Sequence, residues 1–405
     1  MIKKIFLMIV SWIMVLIALF VLPSIVPERK FKEYNDEQLR QTALSRGMRS
    51  VPKNYDEYLN LIDNSKNPLT KEKVSLGKEL FFDKTLSKNS DVSCSTCHML
   101  TQGDRVDNHV LLKSLSKDSE LTNCAACHQR DESGTDRLST AVGTLGKQNP
   151  LHLNTMSVLN SSLAKYLTWN GEVYSVEEQA GLSIKSPFKM DMLPEEVNQR
   201  LRSNPKYVKQ FNSAFKRGTS SSKQSVNYQN VKIALGTYVR TLLTRSAYDE
   251  FLDGDNDAIS AEAKRGFASF INLGCKGCHT GIGVGGQVIK RFPLKGFTSI
   301  QDINFNFPFM SADNSFPFDN VGGFLGKDND HYFRVPILRN VTKTSPYFHN
   351  GSVSKIREAV RIMGQNQIGI NLSDVQIDEI VEFLRTLEGD IVDYSKDIKS
   401  NEDSL

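Results

Sequence analysis

Spare cysteine is what this chain lacks. It has six cysteines in 405 residues, and all six fall in Cys94-Ser-Thr-Cys97-His98, Cys124-Ala-Ala-Cys127-His128 and Cys275-Lys-Gly-Cys278-His279. Nothing is left for a conventional disulfide framework. A disulfide reading would have to join thiols separated by two residues, three times over. A structural zinc site needs paired Cys-x-x-Cys units and gives no reason for a histidine directly after each one. Strong charge is absent too. Lysine and arginine number 50 against 46 aspartates and glutamates, a formal balance of +4, so nothing suggests nucleic-acid binding. A small-residue cleavage site is missing after the N-terminal apolar run, where Pro23-Ser24-Ile25-Val26-Pro27 stands. A removed signal peptide is therefore not expected.

What is present is one pattern in three copies. Cys-x-x-Cys-His is the attachment signature of c-type haem. The two thiols add to the haem vinyl groups, and the imidazole that follows becomes the proximal iron ligand. Three covalently bound haems c are expected, with His98, His128 and His279 on iron. A chain built this way handles electrons.

The apolar run from Ile5 to Val26 holds 22 residues without a charge, enough to span a bilayer. Lys3 and Lys4 precede it and place the N-terminus in the cytoplasm. Residues 1–27 thus read as a single anchor in the inner membrane, with the remainder in the periplasm. Covalent haem fits that placement, because bacteria attach it outside the cytoplasm.

Residues 28–55 are polar and read as a tether. A first body covers 56–225 and carries two haem motifs. The Ser-rich stretch Gly218–Ser225 marks its end. A second body covers 226–393 with one motif, and 394–405 reads as a polar, frayed tail. Regular segments are mostly helical. Apolar residues recur at steps of three and four in Val231–Leu243, and Ser373 is an N-cap candidate for a closing amphipathic helix. Gly281–Asp330 has no clear period and reads as a long ordered loop.

Several further stretches carry a resemblance. They are Leu76-Gly-Lys-Glu-Leu-Phe-Phe-Asp-Lys-Thr-Leu-Ser87, Asn154-Thr-Met-Ser-Val-Leu-Asn160, Trp169-Asn-Gly-Glu172, Glu178-Gln-Ala180, Phe333-Arg-Val-Pro-Ile-Leu-Arg-Asn340 and Ser345-Pro-Tyr-Phe-His-Asn-Gly351. From about Leu76 to Leu387 the chain resembles the bacterial dihaem cytochrome c peroxidases and their methylamine-utilisation relatives. The resemblance implies a mainly α fold of two cytochrome-c-like haem domains, here behind an N-terminal transmembrane helix. It implies that the haem at His279 accepts electrons at high potential and that Met363 is its distal thioether ligand. It makes Trp169 the bridge between haems, and places Gln179 among the catalytic residues. It implies one calcium ion held by Asn154, Thr344 and Pro346, whose amide and carbonyl oxygens are hard donors suited to Ca²⁺. Dimers are common in the resembling family, so a homodimer is the implied assembly.

Two departures stand out. The family has one haem motif in its first domain, whereas here His98 and His128 lie 30 residues apart. The position 20 residues after the bridging tryptophan, a glutamate in the family, is Lys189. That glutamate does general acid–base work, which needs a group able to accept and return a proton near operating pH. A desolvated lysine could serve; Asp191, Glu195 or Glu196 could reach in instead. The loop that carries a distal histidine in many such peroxidases reads Val142-Gly-Thr144. His152, nearby, or His109 could be a distal ligand. His349 reads as support for the second haem pocket and His331 as structural.

The leading expectation is a membrane-anchored peroxidase that reduces hydrogen peroxide to water, with electrons from a quinol or a c-type cytochrome. An oxidase of the methylamine-utilisation type is disfavoured, because that branch has tyrosine where Met363 stands. A multihaem electron carrier or redox sensor is the alternative, favoured by Lys189 and the missing loop histidine.

Overall fold

Two helix pairs organise the computed structural model, which describes residues 31–100, 133–215, 224–294, 316–394 and 396–401. In the first pair, Lys71–Phe82 crosses Tyr228–Arg240; in the second, Ala261–Asn272 crosses Asp374–Arg385. Each crossing is made at a glycine. A Cβ on Gly77 would stand 2.0 Å from the Ala234 carbonyl oxygen, and one on Gly266 would stand 1.8 Å from that of Glu379. The backbones touch there, which only glycine allows. All four helices start on a side-chain cap: Thr70, Asn227, Ser260 and Ser373 accept a backbone N–H of the first turn. Such caps satisfy donors that the helix itself leaves open.

Each pair holds its own apolar core. The first gathers Leu76, Leu80, Phe81, Leu235 and Tyr238 with Ile184, Met190 and Met192. The second gathers Phe267, Phe270, Ile380, Phe383 and Leu384 around Tyr248. The described chain is mainly helical, with two antiparallel strand pairs, Thr244–Ser246 with Gly389–Ile391 and Ile289–Arg291 with Tyr332–Arg334.

The halves repeat one another. Asn160 and Asn340 both have left-handed backbones, as do Thr168 and Phe348, and Gly171 and Gly351, each pair separated by 180 residues. Leu167 bridges Val173 just as Tyr347 bridges Val353. Asn160 and Asn340 donate to the same hydroxyl, Thr244 Oγ1, at 2.9 and 3.0 Å.

Three segments depart from their sequence reading. The helix Tyr228–Arg240 packs into the first core, not the second, because its buried stripe faces Leu76 and Leu80. The polar stretch after residue 33 is not a plain tether. It forms a helix, Asp36–Leu44, closed by an Asn35–Gln38 capping box, and sends Leu39, Ala43 and Met48 into the second core. Farther on, Val51 N–H donates to Asp249, whose carboxylate is paired bidentately with the fully buried Arg339. The tail is not frayed through residue 401: Tyr394 packs on Tyr58 at 4.5 Å and Ile398 is buried. A few apolar residues in a polar run suffice to dock it when a core lies within reach.

The apolar run at residues 5–26 and the motif Cys124–His128 lie outside the described residues, as does His109. Among the described residues no helix is long and apolar enough to cross a membrane.

Candidate functional site

The helix Ala261–Asn272 delivers the last motif. Gly274, at φ 95°, turns the chain into a short 3₁₀ turn, Cys275–Gly277, and His279 N–H closes on the Cys275 carbonyl at 3.0 Å. Both sulfurs and the imidazole thus come from one turn. Burial pushes the His279 pKa down to about 4, so the ring is neutral, the form that ligates metal. Gly285 lets the backbone press close here: a Cβ would meet the Pro336 carbonyl oxygen at 2.1 Å and His279 Nδ1 at 3.4 Å.

His279 opens onto a cavity of about 330 Å³ whose wall includes Cys275, Cys278, Met363, Trp169 and Arg334. Met363 ends the helix Ile356–Met363 and is followed by a π-helical turn, Gly364–Ile368. Such turns recur at functional sites. Arg334 is 5 % exposed. It reaches Met156 Sδ at 2.7 Å and the Tyr166 carbonyl at 3.4 Å, while its Nε has no partner. Burial lowers its pKa to about 10. A buried guanidinium with no carboxylate is costly unless an anion meets it. The propionates of a haem are such anions, so the donor set and the wall fit a haem c. Arg334 belongs to the Phe333–Asn340 stretch, in which nothing local signals a buried cation.

The first motif forms a helical turn, Cys94–Cys97, and His98 N–H closes on the Cys94 carbonyl at 2.9 Å. His98 Nδ1 lies 3.1 Å from the Gly134 carbonyl. That bond fixes the tautomer and leaves Nε2 for a metal. Burial, and more weakly Lys189, lowers the His98 pKa to about 4. Burial raises the Cys94 thiol to about 12 and raises Cys97 as well. Two thiols and an imidazole presented by one turn are the donor set a thioether-linked haem requires. Asp136 is hydrogen-bonded to the Cys97 thiol, and burial raises its carboxyl to about 6. Thr155 Oγ1 donates to Asp136 at 2.9 Å.

The structure brings Lys189 to this site. Its charge acts on Cys94, Cys97 and His98 together. Lys189 is exposed by area, yet protein surrounds it closely enough that desolvation lowers its ammonium pKa, with the two thiols acting the other way. The amine's contact is Ser183 Oγ at 3.4 Å, which Gln179 Nε2 also approaches at 3.4 Å. Gln179 and Ser183 are one helical turn apart on Val176–Lys185, and Gln179 Oε1 is buried without a partner.

The alternatives to Lys189 are engaged elsewhere. Asp191 pairs with Lys147 at 2.9 Å, and Glu196 pairs with Lys88 while capping Leu193 N–H at 2.8 Å. Glu195 is exposed on the first turn of its helix. The loop at Val142–Thr144 is pinned: Thr144 N–H donates to the Lys189 carbonyl at 2.7 Å and its hydroxyl to Asp91 at 2.6 Å. His152, at φ 47°, has its backbone nitrogen close to Gly322 and is outside the wall of the His279 cavity.

Trp169 stands in the cavity wall, donating from Nε1 to the Asn154 carbonyl at 2.9 Å. Asn154 Nδ2 donates to the carbonyls of Pro346, at 2.6 Å, and Phe348, at 3.3 Å, and Thr344 lies in the same wall. His349 bonds Asn320 Oδ1 through Nε2 at 2.7 Å and stacks on Phe333 at 4.9 Å. His331 is buried against Phe316, also at 4.9 Å. Among the described residues no three His, Cys, Asp or Glu side chains cluster as a metal site.

Known proteins resemble this chain in sequence and in fold. The family profile described as di-haem cytochrome c peroxidase matches residues 71–114 and 110–257. The chain is 32% identical over 326 residues to cytochrome c551 peroxidase of Pseudomonas aeruginosa, covering 80% of each. It is 32% identical over 296 residues to methylamine utilization protein MauG of Methylorubrum extorquens, covering 73% of this chain and 69% of that one. In fold it is similar to a MauG-like protein associated with microbial copper homeostasis, with a TM-score of 0.60 and 24% identity over 82% of this chain and 94% of that one. It is likewise similar to the diheme peroxidase BthA of Burkholderia thailandensis in its Y463M variant, with a TM-score of 0.54 and 17% identity over 79% and 87%.

Proposed function

The chain belongs to the di-haem cytochrome c peroxidase family, and on that premise we propose that it reduces hydrogen peroxide to water at the haem held by Cys94, Cys97 and His98. It is a peroxidase-like oxidoreductase that binds haem c covalently. The observation that carries the reading is the place of Lys189: one amine, beside Gln179, acting on all three residues that hold this haem.

Reduction of one peroxide consumes two electrons and two protons and yields two waters. When bound, the haem iron supplies the electron transfer that splits the O–O bond. The residues supply the rest. Lys189 takes a proton from one peroxide oxygen and returns it to the other, work that a lowered pKa suits. Gln179 Oε1, buried and unpartnered, is positioned to accept a hydrogen bond from a peroxide O–H. His98 is held neutral and oriented by Gly134. Trp169 lies on the route from the His279 side.

The finer parts of the proposal follow. Met363, in the wall of the same cavity, would be a thioether donor to the haem held by His279, and that haem would supply electron acceptance. A third haem at Cys124, Cys127 and His128 lies in the first body. A calcium ion sits between the halves; with its amide turned over, Asn154 would present Oδ1 beside the Pro346 carbonyl, with the Thr344 carbonyl as a further donor. Electrons come from a quinol or a c-type cytochrome. Residues 1–27 anchor the chain in the inner membrane, its body faces the periplasm, and it forms a homodimer. A second reading, a carrier or redox sensor without turnover, is favoured by one observation: position 189 holds a lysine and no carboxylate replaces it.

The test is stopped-flow reduction of hydrogen peroxide by the half-reduced, calcium-loaded holoprotein, beside Lys189→Ala and Lys189→Glu. Turnover in wild type that Lys189→Ala removes supports the peroxidase. No turnover in wild type, restored by Lys189→Glu, supports the carrier.

A further inference from the structure

We propose that Gln367 is a positioning residue for Met363: its side-chain amide ties the turn that follows the thioether to the strand pair that carries Arg334. The inference rests on the reading of Met363 as a donor to the haem at His279, and adds what holds that donor in place.

Met363 is the last residue of the helix Ile356–Met363, and the π-helical turn Gly364–Ile368 follows at once. Such a turn departs from the regular helical ladder, and bonds from outside it fix its place. Leu294 N–H donates to the Asn366 carbonyl at 2.9 Å, and Gln367 Nε2 donates to the Arg291 carbonyl at 3.2 Å. Behind the turn, Gly364 is packed so tightly that a Cβ there would stand 2.8 Å from Leu372 Cγ.

Arg291 ends the strand Ile289–Arg291, which pairs with Tyr332–Arg334, Ile289 opposite Arg334. Arg334 N–H in turn donates to the Trp169 carbonyl at 2.9 Å. Hydrogen bonds therefore run without a break from the Met363 turn through Gln367 and the strand pair to Trp169. Met363, Gln367, Arg334 and Trp169 all stand in the wall of the one cavity. In that run Gln367 supplies the side-chain link, and the other bonds are backbone to backbone.

The link has a cost that packing alone does not require. Gln367 Oε1 is buried and has no partner among the described residues. A buried acceptor left unpaired is destabilising, and an apolar side chain of the same size would avoid it. The amide cannot turn over to relieve Oε1, because only its nitrogen can donate to the Arg291 carbonyl. The glutamine is thus explained by its donor, which fixes the turn after Met363. Groups that orient a metal ligand in this way commonly change metal binding by about 10–100-fold when removed.

The experiment is an imidazole titration of the oxidised, fully haem-loaded protein, read at the thioether-to-iron charge-transfer band in the red. Wild type, Gln367→Leu and Gln367→Asn are compared, with Met363→Ala as the reference. Haem content is checked first for each. Leucine keeps the volume and asparagine keeps the amide, and both lose the bond to Arg291. The band that Met363→Ala removes is expected to be absent at the outset in both variants, or to vanish at about tenfold less imidazole than in wild type. An unchanged midpoint in both overturns the proposal. So does a fall in Gln367→Asn alone, which would assign the effect to lost volume, or in Gln367→Leu alone, which would assign it to lost polarity. If Met363→Ala leaves the band in place, the ligand reading fails and this inference with it. If Met363→Ala removes the band while both Gln367 variants titrate like wild type, the ligand reading stands and only this inference falls.

Discussion

Trp169 and His349 meet edge to face, with ring centroids 6.5 Å apart and planes at 74°. They stand at matching positions of the repeated turn, each just after a left-handed residue, Thr168 and Phe348. The internal symmetry thus places one aromatic ring from each half side by side, and both line the His279 cavity. Their roles have diverged. The indole spends its N–H on Asn154, whereas the imidazole is buried, bonded to Asn320 and held neutral.

Trp169→Phe tests the bridge. It keeps an aromatic ring and leaves the Asn154 carbonyl without its donor, a loss of about 1 kcal/mol. Electron transfer between the His279 and His98 haems is expected to slow by about tenfold or more, equivalent to about 1.4 kcal/mol of barrier. Flash reduction followed at the two haem bands measures it. An unchanged rate would mean that the electron passes elsewhere.

Arg334→Met tests the buried cation. Methionine fills similar space but removes the charge nearest the proposed propionates. A cation near the haem disfavours the ferric state, so its removal should lower the potential of the His279 haem. The expected drop is about 60 mV, a tenfold change for one electron. Spectroelectrochemical titration decides, and a rise would reject the pairing.

Gly77→Ala and Gly266→Ala test the two crossings. Each new Cβ would collide with a backbone carbonyl, so the helices must part. Each substitution is expected to cost about 1–3 kcal/mol by overpacking, although alanine favours helix. Thermal melts should show both variants falling together, and a neutral result at either would mean that its crossing yields easily.

Asp136→Asn tests a pH effect. The folded carboxyl titrates at about 6, above its ordinary 3.8, because it is buried. The folded state then holds more protons than the unfolded one between those values. Stability is lost as pH rises from about 4 to 6 and the loss is complete above, roughly 3 kcal/mol. Asparagine should remove that slope and stabilise the protein near neutrality. His349 acts in the opposite sense: burial lowers its pKa from 6.5 to about 4, so its contribution is lost as pH falls through that window. Urea midpoints across pH 4–7 for Asp136→Asn and His349→Gln separate the two.

Much of the site is written locally in the chain. Two thiols and an imidazole within five residues hold a haem because one turn of backbone presents all three, so the sequence alone determines where haem attaches. It also determines the helices Tyr228–Arg240 and Asp374–Arg385, through apolar spacing and a cap confined to each segment. The departure at Lys189 was legible for the same reason. Tertiary structure decided where the Lys189 backbone sits, through the turn packed against Gly143 and Thr144. It decided that Arg334 is buried without a carboxylate partner among the described residues, and that Ser183 and Asp136 belong to the site, since charge and desolvation act through space and leave no period in the sequence. It moved the helix Tyr228–Arg240 into the first core and drew Leu39 and Met48 into the second. An apolar stripe fixes which face of a helix is buried, but what it meets there is settled only when the whole chain has folded.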